Sequence, residues 1–183
     1  MLSRELQKAV APRARTLNVL WGAFLAATVF YVGVAMFAIG DAEPTAGATE
    51  PAVDPWILTA VLAMAAAVAA AGSFLVPRLL LPAQGKPRLK IDGSRQKATA
   101  AETAAAAHLP ESERALLGLL PAYQVTMVVT WALRESVAVF GVIAAVVTRQ
   151  PASVVPFAVA AFALLALARP RAAGYLESRQ GHF

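Results

Sequence analysis

The residues of this chain best placed to do chemistry are Arg134 and Glu135, which interrupt an apolar run from Ala122 to Val147. A transmembrane helix needs about 20 mainly apolar residues, so this run is long enough to cross a bilayer. A charge at the centre of such a helix costs about 2.5–3.5 kcal/mol on insertion scales, and neither side chain is therefore expected to face lipid. The sequence predicts that both groups point into a helix bundle.

Helical rotation predicts that these two charges have separate partners. Successive residues turn by about 100°, so Arg134 and Glu135 point to different sides of the helix. Gln124 shares the side of Glu135. The candidate ion-binding or buried polar residues are therefore Glu135, Arg134 and Gln124. The side of Arg134 carries small residues, which allow close helix contact, and the predicted helix-packing positions are Ala138, Gly141 and Ala145.

Two hypotheses for Glu135 follow. In the first, the carboxylate binds a proton or cation during transport, because ionisable groups inside membranes are often functional. In the second, Glu135 is a hydrogen-bonded structural group, while Arg134 holds helices together or binds a lipid phosphate. The apolar segments contain no other charged residue that would form a relay, and this favours the structural hypothesis.

Composition limits the class of protein. Of the 183 residues, 58% are hydrophobic and 15% are charged, and the mean hydropathy is +0.61. Soluble domains carry about 25% charged residues, so a membrane protein is indicated.

The absence of cysteine excludes disulfides and thiolate metal sites, and two histidines are too few for a zinc site. With no catalytic triad or paired carboxylates, we expect no enzyme, metal or cofactor. The net charge is +5, but the basic residues flank apolar segments. Nucleic acid is therefore not an expected partner.

The predicted fold is all-α: a polytopic membrane protein with four transmembrane helices in a single domain, residues 1–183. The spans are expected at about 17–40, 56–77, 122–148 and 152–168, with a cytoplasmic connector at 78–120. Pro77 is predicted to end the second span. The connector is predicted to contain helices over Gln96–Ala107 and Pro110–Leu120. A signal peptide cleaved after Gly40 is the alternative for the first span, but signal h-regions have only about 7–15 residues.

The third span carries two resemblances. The pattern Ala132-Leu133-x-Glu135-x-x-Ala138-x-x-Gly141 resembles the carboxylate helix of rotary-ATPase proteolipid (c-type) subunits, and Arg149-Gln150-Pro151 is similar to their polar loop. In that family the loop precedes the carboxylate helix, whereas here it follows. This resemblance implies proton or cation binding at Glu135.

The C-terminal third also resembles a group of uncharacterised small bacterial integral membrane proteins with four spans. The matching residues are Tyr123-Gln124, Ala132-Leu133, Glu135 and Arg169-Pro170. This resemblance implies a membrane fold and no particular activity. We therefore expect a structural or accessory protein of a bacterial inner membrane, in contact with lipid and with a protein partner or further copies of itself. Ion translocation through Glu135 remains the alternative.

The distribution of basic residues predicts topology. The N-terminal segment, the connector and the C-terminal tail hold 14 of the 16 Lys and Arg residues. Cytoplasmic loops carry the excess of basic residues, so both termini and the connector are expected in the cytoplasm. Reporter fusions at Gly93 and Gly181 should then give cytoplasmic signals, and a fusion at Gly47 the opposite. An external signal from Gly93 would contradict the four-span prediction.

Overall fold

The structure is a computed structural model, and it describes residues 2–40, 54–81 and 108–180. Within these ranges the chain forms α-helices joined by short connections, without a strand. The helices are α1 (Arg4–Gly40), α2 (Pro55–Leu80), α3 (Glu111–Leu117), α4 (Leu120–Thr148), α5 (Val154–Leu167) and α6 (Ala172–Glu177), and a 3-10 turn over Pro151–Ser153 leads into α5. The prediction of an all-α fold is confirmed.

Three helical segments are long and apolar enough to cross a membrane: α1, α2 and the segment Glu111–Thr148, which is mostly α4. The fourth predicted span corresponds to the shorter apolar segment Pro151–Leu167. At 1.5 Å per residue, the 14 residues of α5 extend about 21 Å, less than the roughly 30 Å hydrocarbon core of a bilayer. The count of four spans stays a prediction.

Two helices extend beyond the predicted spans. Helix α1 begins at Arg4, before the span predicted from about residue 17, and Ser3 caps it: the Leu6 amide donates to the Ser3 hydroxyl oxygen at 3.1 Å. Helix α2 continues past Pro77 to Leu80, so Pro77 does not end the helix, and the end of the second span stays a prediction. A proline lacks an amide donor but keeps its carbonyl acceptor, and the Leu81 amide donates to the Pro77 carbonyl at 3.0 Å.

Most of the predicted connector, including Gln96–Ala107, lies outside the described residues. The amphipathic helix predicted over Pro110–Leu120 is present as α3. The Arg114 side chain donates twice to the Leu109 carbonyl, from Nε at 3.2 Å and from Nη2 at 3.1 Å. This contact fixes the chain where it enters α3.

The chain divides into two compact units. The first comprises Met1–Leu20, Leu75–Val129 and Arg169–Phe183. Its aromatic contact is the stacked pair Tyr123 and Tyr175, with ring centroids 4.7 Å apart. The Tyr123 hydroxyl also accepts the Arg171 amide at 2.9 Å, which ties the segment after α5 to α4.

The second unit comprises Trp21–Phe74 and Thr130–Ala168, and small side chains form its core. One buried cluster contains Ala66, Val137, Ala138 and Ala161, and another contains Ala35, Ala145 and Val154. Without a hydrophobic driving force between helices in lipid, close approach through small residues and the resulting van der Waals contact hold such helices together.

Gly141 marks the tightest contact between α4 and α5. A Cβ built there would lie 2.6 Å from the Phe157 Cβ and 3.2 Å from the Val154 carbonyl oxygen. Both atoms belong to or adjoin the α5 backbone and cannot rotate away. By contrast, a Cβ at Gly72 in α2 would meet no atom within 4 Å.

Gly141→Ala is therefore expected to destabilise the protein by about 1–3 kcal/mol through overpacking. Gly72→Ala is the matched control, and it should be neutral or slightly stabilising because alanine favours a helix. Thermal unfolding in mild detergent, followed by circular dichroism, measures both. Equal melting temperatures for the two variants would show that α4 and α5 are not in contact at Gly141.

Candidate functional site

Arg134 is buried in the second unit, with only 6% of its surface exposed. Its Nε donates to the Ser73 hydroxyl at 3.1 Å, and its Nη1 donates to the Leu164 carbonyl. The guanidinium carbon lies 4.9 Å from the centroid of the Phe74 ring, within the range of a cation–π contact. Arg134 of α4 thus contacts both α2 and α5 through neutral groups.

Ser73 is held in place for this contact by a bond of its own. Its hydroxyl donates to the Ala70 carbonyl at 2.7 Å and so presents a lone pair to Arg134. The side chain is fully buried. A single hydroxyl therefore links the cation of α4 to the backbone of α2.

The C-terminal end of α5 explains why several polar side chains meet here. The last four carbonyls of a helix lack an intrahelical partner. The Trp21 indole donates to the Leu165 carbonyl at 2.9 Å, and the Trp131 indole donates to the Ala168 carbonyl at 3.0 Å. Together with the Arg134 bond to Leu164, side chains of α1 and α4 bind three carbonyls at the last turn and C-cap of α5. The cation also complements the helix dipole.

Glu135 has a different partner. The Tyr31 hydroxyl of α1 donates to Glu135 Oε1 at 3.0 Å, and the carboxylate is half-buried. Gln124, predicted on the same side of the helix, is half-buried and does not supply this bond. Arg134 and Glu135 therefore connect α4 to different helices, which is the consequence of their 100° rotation.

The predicted small-residue positions lie within the chain's own packing. Ala138 and Ala145 are fully buried, in the clusters that contain Ala161 and Val154, respectively. Gly141 lies against Phe157. All three residues thus pack close to α5, so this surface of α4 is occupied by the same chain.

Four residues of the site were not among the sequence candidates: Ser73, Tyr31, Trp21 and Trp131. The signal for Ser73 was its place as the one hydroxyl in the stretch Ala63–Ser73, which is otherwise alanine and glycine apart from Met64 and Val68. The signal for Tyr31 was its polar group in an uncharged span. Neither signal identifies the partner, because sequence does not say which helices adjoin.

Among the described residues there is no cluster of three or more His, Cys, Asp or Glu side chains that would bind a metal ion. Comparison of the chain with known protein families, with curated proteins and with solved structures gives no match. Inference about function therefore depends on the geometry alone.

The bond between Tyr31 and Glu135 is testable by a double-mutant cycle. Tyr31→Phe and Glu135→Ala are each expected to destabilise the protein by about 0.6 kcal/mol, the average for an interhelical hydrogen bond in a membrane. The double variant should lose little more than either single variant, because both changes remove the same bond.

Glu135→Gln is the control for this cycle, since it keeps a carbonyl acceptor for Tyr31 and should retain most of the stability. Unfolding in detergent, monitored by tryptophan fluorescence or circular dichroism, gives the four free energies. Fully additive losses would show that the two side chains do not interact.

Proposed function

We propose that this chain is a structural or accessory integral membrane protein, which acts through helix packing in a larger membrane assembly or a homo-oligomer. In this proposal it crosses a bacterial plasma membrane four times, with α5 as the short fourth span. Both termini and the connector lie in the cytoplasm, where the excess of basic residues belongs.

The polar groups of the second unit support a structural role. Arg134 and Glu135 have hydrogen-bond partners on neighbouring helices. Such bonds act as glue between transmembrane helices. A group that takes up and releases an ion must instead change its partners during each cycle.

The observation that carries the proposal is the outward face of α1. Gly22, Ala26 and Gly33 fall on one side of this helix, at spacings of four and seven residues. A Cβ added at either glycine would meet no atom within 4 Å, so the chain's own packing does not require glycine there. The flanking side chains Val29 and Phe37 are 61% and 80% exposed.

Glycine in a helix is less favourable than alanine by about 1 kcal/mol. Small residues at four-residue spacing do, however, let another helix approach its neighbour closely. The face of α1 defined by Gly22, Ala26 and Gly33 is therefore suited to contact a helix of a partner subunit or of a second copy.

A matched pair of variants tests this face. Ala26→Leu places bulk in it, whereas Ala23→Leu makes the same change at another exposed position of α1, rotated by about 80° from Gly33. We expect Ala26→Leu to reduce oligomer or complex yield several-fold and Ala23→Leu to have little effect. Size-exclusion chromatography with light scattering in mild detergent, together with identification of co-purifying proteins, is the measurement.

Circular dichroism melting should show that both variants fold as the wild type does. Equal effects of the two variants on assembly would show that the α1 face is not the interface. A wild-type protein that is monomeric and co-purifies with nothing would overturn the proposed function itself.

The alternative is a proton- or cation-translocating subunit that uses Glu135. The observation in its favour is that the carboxylate is half-buried and bonded through one oxygen, Oε1. Proton or sodium flux in reconstituted vesicles distinguishes the two functions. The structural proposal predicts no flux, whereas flux that disappears in Glu135→Gln would establish the alternative.

A further inference from the structure

Arg134 has donors that the chain itself does not use. Its hydrogen bonds leave from Nε and Nη1, and the N–H groups of Nη2 have no acceptor in the described part of the chain. Every fully buried side-chain nitrogen or oxygen of the described residues has a partner. Nη2 therefore keeps some accessible surface, although the side chain as a whole is 6% exposed.

The Arg134 side chain reaches the C-terminal end of the short helix α5, although Arg134 itself is at the midpoint of α4 (Leu120–Thr148). Its acceptor Leu164 comes three residues before α5 ends at Leu167, a distance of about 5 Å. Its acceptor Ser73 comes seven residues before α2 ends at Leu80, or about 10 Å. The guanidinium therefore lies near the end of α5, and long basic side chains in membranes extend towards the interface.

An apolar groove adjoins the same residues. It has a volume of about 410 Å³, and its lining includes Ala63, Ala67, Ala70, Phe157 and Leu164. Ala70 and Leu164 are also the residues whose carbonyls bind Ser73 and Arg134. The groove therefore reaches the residues that hold the cation.

The dimensions of the groove suit a hydrocarbon chain. It extends along α2 from Thr59 to Ala70, about 16 Å, which is close to half of the roughly 30 Å hydrocarbon core. An extended acyl chain is narrow enough to lie along a groove of this length, and a bilayer supplies it.

We propose that Arg134 and this groove form a binding site for one anionic phospholipid. The lipid phosphate accepts hydrogen bonds from Arg134 Nη2, and an acyl chain lies along the groove between α2 and α5. A phosphate complements a guanidinium that otherwise contacts only neutral groups, since charge-assisted bonds to phosphate are stronger than neutral ones. The site uses no residue of the α1 face, so its failure would leave the proposed function intact.

The test compares the wild-type protein with Ala67→Phe, which fills the groove, and with Ala71→Phe as the matched control. Ala71 is exposed on the same helix but does not line the groove. Native mass spectrometry after titration with phosphatidylglycerol gives the occupancy of bound lipid. We expect Ala67→Phe to weaken lipid binding at least ten-fold, and Ala71→Phe to leave it within two-fold of wild type.

Arg134→Lys tests the phosphate contact, because lysine keeps the charge but lacks the guanidinium donors. It should lose the preference for phosphatidylglycerol over a neutral diacylglycerol. If this variant does not fold, the groove variants still decide the question. Unchanged lipid binding in Ala67→Phe would overturn the proposal.

Two further arms identify the source of the anion. Bound phosphatidylglycerol should raise the melting temperature, because a ligand that binds only the folded state stabilises it. Inorganic phosphate should not, since it cannot occupy the groove, and equal stabilisation by phosphate would reduce the site to an anion site. A co-purifying protein displaced by Ala67→Phe, with lipid binding unchanged, would assign the groove to a partner helix instead.

Discussion

The packing of the second unit depends on one requirement: the backbone carbonyls at the C-terminal end of α5 need hydrogen-bond donors. This helix has 14 residues, and the last carbonyls of a helix lack intrahelical partners. An unsatisfied backbone group in hydrocarbon costs several kcal/mol. The chain meets that requirement with donors from outside the helix: Trp21 from α1, and Trp131 and Arg134 from α4.

These donors restrict how the helices pack. Side chains of α1 and α4 reach the end of α5 only if the helix axes are close, and small residues permit this approach. Gly141 shows the limit, since even a Cβ would collide with Phe157. Arg134 also links these helices to α2 through its hydrogen bond to Ser73. Capping of one short helix and small-residue packing of its neighbours are thus parts of the same structural solution.

The sequence was sufficient for the all-α fold, for the apolar segments and for the expectation that Arg134 and Glu135 find separate partners. Each of these depends on one helix at a time, on its length or its 100° rotation. Partners depend on two helices at once, so Ser73 and Tyr31 could not be assigned. The start of α1 at Arg4 likewise depends on a single capping residue, Ser3, which the hydropathy pattern does not reveal.

The hydrogen bonds of Arg134 at the end of α5 also affect whether Glu135 can bind a passing cation. Displacing Arg134 would expose the Leu164 carbonyl and the Ser73 hydroxyl together, so the guanidinium is expected to stay in place as a fixed positive charge. Fixed arginines and half-helix dipoles form barriers to protons and cations in membrane pores. A cation that approaches Glu135 would experience this charge from the adjacent residue of α4. The same geometry that stabilises α5 therefore disfavours cation passage, and this favours a structural role for the pair.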